Sequence, residues 1–124
     1  SGGGDVVLSG RVDDSRIDLS GAESKVLRPE YKKVRDSLAT VGFASAEELF
    51  ATFGAQGEAL KIWSSGAEIN TDRNLRLQYL AGVGFGAIDP ESIYQNMVLN
   101  RSWPDSLFSG SPKQLQSLRT RMGF

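Results

Sequence analysis

Apolar positions along the chain recur mostly at helical spacing. In "RPEYKKVRDSLATVG", Val34, Leu38 and Val41 fall at i, i+4 and i+7, which places them on one helical face. Pro29 suits a first helical position and Gly42 a C-cap. "SAEELFATFG" follows the same plan. Ser45 and Glu48 have capping-box spacing, Leu49, Phe50 and Phe53 supply the apolar side, and Gly54 supplies the stop. "QGEALKIWSSG" predicts a shorter helix carrying Leu60, Ile62 and Trp63. "IDPESIYQNMVLNRSW" opens with Asp89 as N-cap and Pro90 in the first turn, and Ile93, Tyr94, Met97 and Val98 give its apolar face. "WPDSLF" predicts one more turn of helix. In "SPKQLQSLRTRMGF", Ser111 is the cap, Pro112 takes the first position and Gln114 completes a capping box. Leu115, Leu118 and Met122 form its face, and Arg119 and Arg121 complement the dipole near its C-terminus. Upstream, Ser20 and Glu23 in "SGAE" also have capping-box spacing. Helices under about 12 residues are marginal alone, so tertiary packing must hold them.

One segment breaks the helical pattern. "DVVLSG", residues 5–10, is a short apolar run closed by Ser-Gly and predicts a buried β-strand. No second convincing strand lies near it, and a lone strand leaves its backbone groups unmatched. Residues 5–9, from Asp5 to Ser9, are therefore expected to pair with the rest of a larger parent chain or with another copy. The expected fold class is mainly α: several short packed helices and one N-terminal strand, in a single domain over residues 5–124. Residues 1–4, "SGGG", read as a linker or a cloning scar. Leu38, Phe50, Phe53, Leu60, Trp63, Ile93 and Leu115 are expected in or near the core.

Composition narrows the chemistry. The chain has 124 residues, 40% hydrophobic and 23% charged, in the range of an ordinary globular domain. A formal net charge of −1 gives no argument for nucleic acid or an anionic membrane surface as partner. Cysteine and histidine are both absent, which removes the disulfide, the thiolate nucleophile and the commonest general base and metal ligand. No apolar run approaches the roughly 20 residues of a membrane span.

Several stretches could carry a site. Asp13 and Asp14 in "RVDDSR" could hold a cation, but adjacent acids between arginines read first as a solvated turn. "YKKVR" reads as solvated basic surface. "GVGFG" at residues 82–86 lacks the spacing of a phosphate-binding loop and reads as a break before the next helix. Trp63 and Trp103 read as packing rather than ligand stacking. "GAEINTDRNLRLQYLAG", residues 66–82, concentrates hydrogen-bonding side chains. Asn70, Thr71 and Asp72 exceed what one cap needs, and Arg73 and Arg76 could pair with Asp72 or Glu68. The segment is either a structural corner or the wall of a polar site.

Taken in order, "DVVLSG", "LRPEYKKVRDSLATVGFASAEELFATF", "GAEINTDRNLRLQYLAG" and "RSWPDSLFSGSP" resemble the C-terminal part of bacterial spermidine synthase-like proteins, especially the larger, membrane-fused type. The resemblance spans roughly residues 5–110. Its most specific element is a polar segment of the form NTDD-x-P-x-L-E-[FY], onto which Asn70, Thr71, Asp72, Leu77, Gln78 and Tyr79 fall. Arg73 and Leu75 stand where that segment has its second Asp and its Pro, and Gln78 replaces the acid.

The resemblance implies that the "DVVLSG" strand is left over from a Rossmann-like, methyltransferase-type sheet. It implies that the parent, on the cytoplasmic side and in some forms membrane-fused, transfers an aminopropyl group from decarboxylated S-adenosylmethionine to a diamine, without metal. The Gly-rich loop, the ribose-binding acid and the catalytic Asp motif would lie upstream of Asp5, and this sequence contains none of them. The expectation is thus no catalytic residue and no cofactor in this chain, with Asn70, Thr71, Asp72 and Glu68 as substrate-binding candidates for a polyamine, itself an extended polycation. The rival expectation is a free-standing α-helical interaction or scaffold domain without a small-molecule site.

Overall fold

A computed structural model describes residues 7–10, 12–75 and 89–124. Among them the chain is mainly α. The elements run β1 (Ile17–Asp18), α1 (Leu19–Val26), a 3-10 turn (Pro29–Tyr31), α2 (Lys32–Thr40), α3 (Ala46–Phe50), α4 (Gly57–Trp63), α5 (Pro90–Val98), β2 (Phe108–Ser109) and α6 (Pro112–Arg121). They divide into two units, one of residues 1–9 and 54–102, the other of residues 10–53 and 103–124.

In the second unit, β1 and β2 pair in parallel, with Ile17 opposite Phe108 and Asp18 opposite Ser109. The Ile17 N–H donates to the Leu107 carbonyl at 2.8 Å. Each two-residue strand runs almost at once into a helix, so the pair brings the N-terminal ends of α1 and α6 together, and α3 packs on both helices. Leu19, Phe108, Leu118 and Met122 are buried together, with Ile17, Phe50, Phe53, Trp103, Leu107 and Leu115 packed around them. Phe108 is the hub: its ring centroid lies 5.6 Å from Phe50, 6.3 Å from Phe53 and 6.4 Å from Trp103, all in tilted or edge-on geometry. Trp103 also meets Phe124 edge-on and lies under the Arg119 guanidinium, so it is a packing residue as the sequence suggested.

Polar ties fix the helices around this core. The Glu23 carboxylate accepts the Ala46 N–H at 2.8 Å, linking α1 to the first turn of α3. The Glu47 carboxylate accepts from Ser117 Oγ at 2.6 Å and from Arg121 Nε at 2.8 Å, linking α3 to α6. Arg121 also approaches Glu48 at 3.5 Å.

Four local features follow the sequence. Ser45 caps α3 by accepting from the Glu48 N–H, while the Glu48 carboxylate reaches back to the Ala44 N–H. Asp89 caps α5 through the Glu91 N–H. Ser111 and Gln114 form both arms of a capping box on α6. The C-terminus of α2 closes on Gly42 at φ 95°, with Gly42 N–H bonded to Ala39 O and Phe43 N–H to Leu38 O, the paired bonds of a Schellman motif. A Cβ at this φ is disfavoured by about 1–2 kcal/mol. Gly42→Ala is therefore expected to lower stability by about 1 kcal/mol in thermal melts, although the site is sterically open. An unchanged melting temperature would show that the α2 terminus frays.

Other expectations are corrected. Ser20 does not open α1. Asp18 caps that helix by accepting the Ser20 N–H at 3.1 Å, and Glu23 is drawn off to Ala46. Val34 and Val41 are exposed. The half-buried stripe of α2 is instead Tyr31, Arg35 and Leu38, and Arg35 Nη1 donates to the Val26 carbonyl at 3.3 Å. The aliphatic stem of an arginine can cover apolar surface while its head stays polar, so Arg35 takes a place the apolar pattern assigned to valine. Residues 7–9 form no strand, and Val7 and Leu8 are 89% and 82% exposed; residues 5 and 6 lie outside the described residues. The strand pairing occurs at positions 17–18 and 108–109.

In the first unit α4 packs on α5, and Ala59 and Met97 are buried. Gly54 lies against Met97 so closely that a Cβ there would sit 2.3 Å from the methionine methyl carbon. Leu60, Tyr94 and Val98 are half-buried. Trp63, Ile62 and Ile93 are exposed, against the expectation for Trp63 and Ile93. Two short helices bury only one stripe each, and on α4 that stripe holds Ala59 and Leu60 rather than the tryptophan.

Candidate functional site

The polar segment at residues 68–75 forms a tight hydrogen-bonded turn. Its members are Thr71 and Asn74. The Thr71 N–H donates to Asn74 Oδ1 at 2.9 Å, and the Asn74 N–H donates to Thr71 Oγ1 at 3.3 Å. This reciprocal arrangement has the form of a capping box with Asn in place of Glu. Asn74 Nδ2 also donates to the Ile69 carbonyl at 2.9 Å, and the Leu75 N–H closes on Thr71 O at 2.9 Å. Leu75 then adopts φ 42°, in the left-handed region that a branched side chain rarely enters.

The four sequence candidates are all exposed: Glu68, Asn70, Thr71 and Asp72. Thr71 spends its hydroxyl on the turn. Asp72 caps nothing, and among the described residues neither Arg73 nor any other cation pairs with its carboxylate. Asn74, which is not among the four candidates, is the residue that orders the turn. Its signal was present as the Thr-x-x-Asn spacing, a weaker variant of the Ser-x-x-Glu pattern. Arg76, Leu77, Gln78, Tyr79 and the "GVGFG" run lie outside the described residues.

The other acid pair behaves as a turn. Asp13 Oδ1 accepts from both the N–H and the Oγ of Ser15, at 3.1 and 2.6 Å. Among the described residues no group of three or more Asp or Glu side chains is disposed to hold a metal ion.

One junction was not visible in the sequence. The N-termini of α1 and α6 meet beside the C-terminal ends of β1 and β2, the end of a parallel sheet where α/β proteins place ligands. Here the polar side chains bond one another and the nearby backbone. Gln114 Oε1 accepts from Ser111 N–H and Oγ, both at 2.9 Å, while Gln114 Nε2 donates to Ser20 Oγ at 3.0 Å. Asp18 adds its own carboxylate at the same end. Gly110 permits this approach, since a Cβ there would lie 3.2 Å from Gln114 Oε1 and 3.4 Å from Leu19 Cδ1. The junction is a structural clasp between two helices.

No family model matches the chain, and neither a curated protein nor a solved structure shows significant similarity to it. No helix among the described residues is long and apolar enough to cross a membrane.

Proposed function

We propose that the chain is the helical C-terminal region of a spermidine synthase-like aminopropyltransferase, and that its 68–75 turn lines or braces the polyamine pocket of the parent. The observation that carries this reading is the division of labour in the turn. Thr71 and Asn74 hold the backbone, while the Asp72 carboxylate stands outward without a structural partner among the described residues. An exposed carboxylate carried on a hydrogen-bonded turn suits an ammonium group, because charge-assisted hydrogen bonds are the stronger kind. The order of the sequence segments and the "INTD" run support the same reading. The nucleotide site and the catalytic base would come from other parts of the parent.

The test is Asp72→Asn in the full-length parent. Stability is expected to stay within about 0.5 kcal/mol, since the side chain caps nothing. Amine affinity is expected to fall roughly tenfold at low salt, the loss of about 1.4 kcal/mol from one charge-assisted bond. Unchanged affinity would make the turn a corner and nothing more. The purified 124-residue chain is expected not to turn over decarboxylated S-adenosylmethionine with putrescine, and measurable turnover would overturn the assignment.

A second reading is a free-standing α-helical interaction or scaffold domain. It is favoured by Leu27, Val34 and Val41, each more than half exposed on a unit that already has its own core. Sequencing the open reading frame upstream of Asp5 separates the two. A Gly-rich nucleotide loop there supports the aminopropyltransferase; a start codon at or near residue 1 supports the interaction domain.

A further inference from the structure

We draw no further inference here: the strongest candidate, the outward face of α2 where Val34 and Val41 stand beside the exposed Lys32 and Lys33, is an unpartnered apolar face, and nothing in the structure shows what covers it.

Discussion

Leu118→Ala is expected to destabilise the second unit by about 2–5 kcal/mol, with the upper half of that range favoured by the burial of the site. Leu118 is the one side chain with no measurable exposure among the described residues. It sits in mid-helix on α6, between the Ser117–Glu47 and Arg121–Glu47 ties. Those ties hold α6 in place, so the cavity left by the leucine cannot easily collapse. In a domain this small a loss of that size lowers the melting temperature by roughly 10 °C or more. The chain's two tryptophans divide between the units, Trp63 in one and Trp103 in the other. Fluorescence in a Trp63→Phe background therefore reports the second unit alone. Val34→Ala, at a half-exposed site on α2, is the control and is expected to stay within about 0.5 kcal/mol. A Leu118→Ala loss no larger than that of the control would show that the core is not organised around α6.

Phe108→Ala is expected to cost about 3–5 kcal/mol. It removes both the buried ring and its contacts with three aromatic neighbours, each such pair contributing about 0.5–1.5 kcal/mol beyond its area. Phe108 is also the β2 residue opposite Ile17, so losing its side chain loosens the strand pair. Phe108→Leu should recover much of the stability, because it restores most of the volume, but not the aromatic geometry. Near-UV circular dichroism of Trp103 is the measurement. A Phe108→Ala protein with an unaltered Trp103 signal would contradict the packing described.

What was legible in the sequence was local. Ser45, Asp89, Ser111 and Gly42 act over three or four residues, and their hydrogen bonds follow from spacing alone. The apolar stripe of α6 was legible for the same reason, because a long enough run of 3.6-residue periodicity fixes a face. What failed was decided at long range. Glu23 looked like the partner of Ser20 but bonds the backbone of Ala46, on a helix whose position no local pattern encodes. Ile17–Asp18 and Phe108–Ser109 are too short to show an alternating pattern, so their pairing was invisible. The "VVL" run had the right composition for a strand, yet Val7 and Leu8 stand exposed without one. At the candidate site the sequence located the turn but not its workings. The eye goes to the charged Asp72, whereas the turn is built by the neutral pair Thr71 and Asn74.

The clasp between Ser20 and Gln114 joins positions 94 residues apart. Closing a flexible loop of that length costs about 4 kcal/mol of chain entropy, beyond a constant term, before any contact rewards it. The second unit therefore has a high contact order, and it should fold slowly for its size. On the ribosome, α1, α2 and α3 emerge well before Phe108, Leu118 and Met122. Until those residues arrive, Leu19 and the aromatic rings of Phe50 and Phe53 have no core to enter. The nascent half-unit is then exposed to mispairing, the situation in which a holding chaperone helps.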